Sequence, residues 1–326
     1  MNSMVKIDLI TGFLGAGKTT FLKKYAQYWM EQGCQIGILE NDYGAVNVDM
    51  MLLRDLEGEQ CELEMVAGAC DYDCHKRRFK SKLISMGMCG YDRVLVEPSG
   101  IYDVDEFFDT LCEEPLDRWY EIGNVIAIVD AALEENLSAQ SEYLLACQTA
   151  NAGLVVFSKS QEATKEAMGH TIGHLNQAME QVQCRRRFGK EVLAKDWEQF
   201  IAQDWAQIAS CGYVLENYVK QQVYADNGYT SLYYMNLGLA EQEVLHRAER
   251  MLQDPACGHV FRIKGFFQRD DGSWMECNAT RDGIGIHPIE KGQDVLIIIG
   301  EDLKEDAVNR YWTGLTAAQK CCKKGQ

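Results

Sequence analysis

The stretch Gly12-Phe13-Leu14-Gly15-Ala16-Gly17-Lys18-Thr19 narrows the possible folds more than anything else in the chain. Its spacing is G-x-x-x-x-G-K-[ST], that of a loop whose backbone wraps a phosphate group. Residues 5–10 read as a short buried strand before it, and the apolar period over residues 20–25 opens a helix after it. Glycines let the chain curl closely enough for its N–H groups to face phosphate oxygens. The helix that follows turns its positive end toward the same anion. Lys18 is placed to reach the β- and γ-phosphates of a nucleotide, and the Thr19 hydroxyl to take one place on Mg²⁺.

Such a loop needs a parallel sheet around it, and the chain supplies the strands. Residues 34–39, 91–97, 125–130 and 154–159 are apolar runs, each bounded by turn or helix signals. Strand–helix alternation with apolar strands means a mostly parallel sheet covered on both faces. Around residues 209–212 the helical pattern stops, and from Tyr229 the texture changes to strands at 229–237, 259–267, 273–278 and 294–299, with helices at 241–252 and from about 301. Consecutive strands between helices suggest an antiparallel sheet. The expected fold class is therefore α/β, a P-loop NTPase with a mostly parallel sheet, plus a smaller C-terminal α+β domain. The expected division is a nucleotide-binding domain over residues 1–211, a linker over 212–228 and the second domain over 229–326.

Net charge bounds the partners. At −17 over 326 residues the chain repels polyanions, so neither nucleic acid nor an anionic membrane is expected as a broad partner. Neither a secretory signal nor a membrane span is read in the opening residues, and thirteen cysteines are then reduced thiols, which suggests a cytoplasmic protein. One run stands out against the acidic background, His75-Lys76-Arg77-Arg78-Phe79-Lys80-Ser81-Lys82. It reads as a solvated helix face or as a docking patch for an acidic partner.

Three further stretches carry candidate chemistry. The acidic loop after the second strand, Glu40-Asn41-Asp42-Tyr43-Gly44-Ala45-Val46-Asn47-Val48-Asp49, and the strand end Glu97-Pro98-Ser99-Gly100 lie where a P-loop protein keeps groups that face the nucleotide's metal and γ-phosphate. Ala69-Cys70-Asp71-Tyr72-Asp73-Cys74-His75 gathers two thiols, an imidazole and two carboxylates, a donor set suited to Zn²⁺, Co²⁺ or Ni²⁺. Cys70 and Cys74 would share a face if helical, although C-x₃-C is not the usual structural-zinc spacing. Ser158-Lys159-Ser160-Gln161 occupies the position of a guanine-reading S/T-K-x-D loop, with Gln161 where Asp is expected. His170 and His174, one turn apart, read as a surface pair more readily than as a metal site.

Taken together, these motifs resemble the CobW-like P-loop GTPases, related to the hydrogenase- and urease-maturation GTPases. Residues 12–20, ending Lys18-Thr19-Thr20, look like that family's G-F-L-G-[SA]-G-K-T-T, and residues 41–49 resemble its N-E-F-G-x-x-x-x-D, with Asp42 for Glu. Glu97-Pro98-Ser99-Gly100 matches its E-x-x-G, and Val129-Asp130-Ala131 its V-D-A strand end. Phe261-Arg262-Ile263-Lys264-Gly265 and Ile298-Ile299-Gly300 look like strands of its carboxy-terminal domain.

The resemblance implies a Mg²⁺-dependent GTP hydrolase that serves as metallochaperone or activator of a client metalloenzyme or cofactor protein, with a nucleotide-dependent dimer as a further expectation. Nucleotide contacts would come from Gly12, Gly15, Ala16, Gly17, Lys18, Thr19, Thr20, Ser158, Lys159 and Gln161. Lys18, Glu97 and Asp42 would carry the catalytic charge and water positioning, with Thr19 and Asp49 on Mg²⁺. Cys70, Cys74 and His75 would bind the transition metal. Two departures qualify this: the family's C-x-C-C is absent, and the guanine-reading Asp is Gln161. The alternative is a nucleotide-gated adaptor that loads or ejects a cofactor such as a corrinoid and binds no metal.

Overall fold

A computed structural model describes residues 4–41, 49–66, 72–220, 229–281 and 283–312. Two compact units divide the chain, Met1–Ala225 and Asp226–Gln326.

The first unit alternates strand and helix as its apolar runs require. Its elements are β1 (Val5–Thr11), α1 (Lys18–Glu31), β2 (Ile36–Asn41), α2 (Asp49–Leu53), β3 (Cys61–Val66), α3 (Tyr72–Gly87) and β4 (Arg93–Pro98). After them come α4 (Val104–Leu111), α5 (Leu116–Trp119), β5 (Tyr120–Asp130), α6 (Ala139–Ala150), β6 (Leu154–Ser158), α7 (Lys165–Gln181) and α8 (Ala202–Ala209). The strands form one six-stranded parallel sheet in the order β3-β2-β4-β1-β5-β6. Every residue of β2, β4 and β6 is buried, as strands covered on both faces must be. Because all six strands run the same way, their carboxyl ends gather along one edge. β1 lies between β4 and β5 there, and the loop after it carries the phosphate motif.

A buried polar knot ties the elements around that loop. Asp8, fully buried in β1, accepts hydrogen bonds from Arg93 of β4 (2.5 and 2.6 Å), Tyr25 of α1 (2.7 Å) and the Asn124 amide of β5 (2.7 Å). The Arg93 guanidinium also covers the Trp29 ring at 3.9 Å. Burial above all, and then the negative charge of Asp8, hold the Tyr25 hydroxyl well above its ordinary pKa, so it stays a donor. Arg186 donates to the Thr149 and Ala150 carbonyls at the end of α6.

Residues 213–220, inside the expected linker, are bonded along the first unit. The Val214 amide donates to the Asn151 carbonyl at 3.1 Å, the Val219 amide to the Val182 carbonyl at 2.8 Å, and Lys220 pairs with Asp105 of α4 at 2.8 Å.

The second unit is a two-layer α+β fold: β7 (Tyr229–Met235), α9 (Glu241–Leu252), β8 (His259–Gln268), β9 (Trp274–Thr280), β10 (Gly283–Ile289), β11 (Val295–Glu301) and α10 (Glu305–Trp312). Its sheet is antiparallel, in the order β10-β9-β8-β11-β7. Alternate residues of β9, Met275, Cys277 and Ala279, join Val244, Met251, Val308 and Trp312 of the two helices in one core. Sequence reading missed β10. Its half-exposed G-I-G-I-H-P-I carries two glycines and a proline, tolerated because β10 is an edge strand.

Candidate functional site

At the carboxyl edge of the parallel sheet the phosphate loop runs directly from β1 into α1. Gly12, Gly15 and Gly17 take positive φ of 145°, 78° and 91°, backbone shapes that side chains rarely adopt. Helices α4, α6 and α7 begin with side-chain caps from Asp103, Ser138 and Thr164. α1 begins instead at Gly17, with no side-chain cap, and leaves its first N–H groups to an anion. Lys18 is buried and folds back across the loop, its Nζ donating to the Phe13 carbonyl at 3.4 Å.

Two carboxylates converge on the Thr19 hydroxyl of α1. Asp49 Oδ1, at the start of α2, lies 2.6 Å from it, and Glu97 Oε1, near the end of β4, lies 2.9 Å from it. A hydroxyl has one proton, so it donates to one carboxylate at a time. One neutral oxygen and two anionic ones packed this closely form a donor set of the hard-oxygen type that Mg²⁺ takes. Buried Asn41, at the end of β2, has no hydrogen-bond partner for its side-chain amide among the described residues. Gly100 completes the enclosure: a Cβ there would lie 2.7 Å from the Leu14 backbone nitrogen, so the strand-end loop touches the phosphate loop main chain to main chain. Gln148 of α6 clamps the same turn, donating to the Gly100 carbonyl at 2.9 Å.

The loop expected to read the base follows β6. Ser158 is buried, Lys159 has a φ of 52°, and its ammonium pairs with Asp130 at 2.5 Å, joining the two strand ends. Gln161 is exposed and donates to neighbouring Glu162 at 3.2 Å. A further part of this wall escaped sequence reading. Leu193 bridges Val156 in parallel, its amide donating to Val155 O (2.9 Å) and its carbonyl accepting from Phe157 N (3.0 Å). Trp197 is thereby carried to the loop. Its indole N–H donates to the Phe157 carbonyl at 2.9 Å, and its ring would meet a Gly17 Cβ at 3.3 Å. The only sequence signal was a tryptophan in a segment without periodicity.

The chain from residue 6 to 188 matches the family described as CobW/HypB/UreG, nucleotide-binding domain. The chain belongs to that family. It is 30% identical over 134 residues to the zinc chaperone YjiA and 28% identical over 165 residues to the zinc chaperone YeiR, both of Escherichia coli K12. Those stretches cover 39% and 50% of this chain and 41% and 49% of the two relatives, so the chain spans less than half the length of the curated relatives it matches. Among solved structures, Zn(II)-bound YjiA GTPase from E. coli is similar with a TM-score of 0.37 and 19% identity, over 96% of this chain and 99% of that one.

As members of this family's domain, the phosphate loop and the E-x-x-G strand end stand where sequence reading expected them. Asp42 and Cys70 lie outside the described residues. Cys74 is half-buried in the first turn of α3, whereas adjacent His75 is completely buried on the face that carries Phe79 and Leu83 into the core. Among the described residues no group of three His, Cys, Asp or Glu side chains gathers as a metal site. His174 meets Glu142 at 2.6 Å and His170 meets Glu135 at 3.6 Å, each paired with a carboxylate. Also among the described residues, no helix is long and apolar enough to cross a membrane.

Proposed function

We propose that this chain is a Mg²⁺-dependent GTP hydrolase whose cycle hands a transition metal ion to a client metalloenzyme or cofactor protein. The observation that carries the reading is the Thr19 hydroxyl within hydrogen-bond reach of both Asp49 and Glu97, one residue after a buried Lys18. Thr19, with Asp49 or Glu97 directly or through water, would hold Mg²⁺, which when bound neutralises charge on the β- and γ-oxygens. Lys18 and the α1 amides bind the same phosphates, and Gly100 stands close enough to the loop to sense whether the γ-phosphate is there. The two zinc chaperones among the relatives support zinc as the cargo. The thiols Cys70 and Cys74 would carry it.

The test is GTP hydrolysis by the full chain with Mg²⁺ and with EDTA, together with Zn²⁺ titration. Thr19→Val should remove the Mg²⁺-dependent rate, and Cys70→Ser/Cys74→Ser should lose one tight zinc site while hydrolysis persists. Hydrolysis indifferent to Thr19→Val sinks the phosphate assignment, and unchanged zinc stoichiometry in the double mutant favours the metal-free adaptor. Because a Gln amide opposes guanine's donors where a carboxylate accepts them, Gln161→Asp should sharpen GTP over ATP by roughly 10- to 100-fold.

A further inference from the structure

In the first unit, α3 is amphipathic in an uncommon way. His75, Phe79, Leu83 and Met86 face the core, and the rest of the helix carries Lys76, Arg77, Arg78, Lys80 and Lys82 in a chain of net charge −17. These cations divide into two groups. Lys76 and Lys80 turn to one side, where both meet Glu113 at 3.6 and 2.6 Å. Arg77, Arg78 and Lys82 turn to the other and line a groove of about 490 Å³ with Met65 and Val66 of β3 and Cys74. Lys82 is held by Glu64 at 2.7 Å, while Arg77 is exposed and has no acidic partner among the described residues.

The groove's floor is an edge. β3 ends the sheet and pairs with β2 alone among the described strands, so its outer main-chain groups face away from the sheet. Met65 is 47% exposed there. Native edges are usually blunted by charge, a bulge or a covering segment; here Glu62 and Glu64 are already engaged by Tyr91 and Lys82, and the strand ends in Met65-Val66 beneath a row of cations. An extended segment laid along such an edge adds main-chain hydrogen bonds and sends alternate side chains to one face.

We infer that this groove is a docking site for an extended acidic segment of a protein partner, its carboxylates on Arg77 and Arg78 and an apolar side chain on Met65. Charge complementarity selects that occupant. With 49 carboxylates against 32 lysines and arginines, the chain as a whole repels an acidic segment, so the encounter is steered to this cationic groove. The Lys82–Glu64 pair is partly exposed and costs little to exchange. Because Cys74 lines the groove, a docked segment would lie beside one of the two thiols assigned to the metal. Only the identity of the partner as the metal-receiving client rests on the function proposed above.

The test is fluorescence anisotropy on the full chain, with a labelled peptide of alternating glutamate and valine, a lysine–valine control and a single-stranded RNA. The acidic peptide should bind and weaken with salt. Arg77→Glu should reduce its affinity about tenfold or more while GTP hydrolysis and zinc stoichiometry stay at wild-type levels. Hydrogen exchange should show new protection in β3 when the peptide is added. Equal affinity for wild type and Arg77→Glu overturns the inference, as does tighter binding of the RNA. Peptide binding that persists in a chain with no zinc site would leave the docking groove standing and remove the metal-transfer reading instead.

Discussion

Lys18 in the first unit and Lys264 in the second are both buried, with 7% and 2% of their surface exposed. Lys18 sits on the loop between a strand and a helix, at the edge where all six parallel strands end. Lys264 lies within β8, opposite Ile297 of β11 and Asn278 of β9, inside an antiparallel sheet. Among the described residues every other buried polar residue except Asn309 belongs to the first unit, and Lys18, Thr19, Asn41, Glu97 and Ser158 crowd its carboxyl edge. Parallel strands bring all their carboxyl-end loops to one place, so buried polar groups can face a shared ligand. Antiparallel strands alternate direction and spread their loops over both ends, so no single edge collects their polar groups.

The sharpest way to break this contrast is to remove each lysine. Lys18→Ala should lower hydrolysis roughly 100- to 1,000-fold and leave thermal unfolding nearly unchanged. Lys264→Met should leave hydrolysis and nucleotide affinity alone. An equal loss of hydrolysis in Lys264→Met would refute the division of labour.

Next in size is the knot on Asp8, which has no counterpart among the described residues of the second unit. Asp8→Ala strips the buried Arg93 of its partner and should cost about 3–5 kcal/mol of stability, read by urea unfolding. A loss below about 1 kcal/mol would mean that Arg93 finds another acceptor.

Two glycines probe the same contrast by sterics. Gly100→Ala puts a methyl against the phosphate loop's backbone, and Gly265→Ala drives one into the Val295 carbonyl of the neighbouring strand. Each should cost about 1–3 kcal/mol of strain. The first should appear mainly as lost hydrolysis, the second mainly as a lower unfolding midpoint with activity retained. Reversed outcomes would place the function in the wrong unit.

The smallest effect concerns Asp103, which caps α4 three residues after Gly100. Burial above all raises its pKa from 3.8 to about 6; its bond from the Asp105 amide opposes the rise and the Asp105 charge adds to it. Since the folded value exceeds the unfolded one, the folded chain binds more protons between about pH 4 and 6, and this residue's share of stability grows as pH falls through that window. Asp103→Asn keeps a capping oxygen and removes the buried charge. It should stabilise the first unit at neutral pH by up to about 3 kcal/mol, an advantage that closes near pH 4. Denaturant melts of both proteins at the two pH values decide this.

The amino-acid sequence by itself determined the phosphate loop, the order of strand and helix in the first unit, the change of texture at Tyr229 and the cationic character of α3. These are local properties: glycine spacing, apolar period and charge act within one turn or one strand. Tertiary structure alone decided which distant groups meet. Thr19 touches carboxylates 30 and 78 residues away, and Trp197 reaches the loop only because Leu193 adds a rung beside β6. Cys74 and His75, adjacent in sequence and alike as donors, part company because successive helix positions are turned about 100° from each other, so one faces the groove and the other the core. The segment 213–220 read as a tether because its residues carry no period; it is held by Asn151, Val182 and Asp105, partners that only the fold brings within reach.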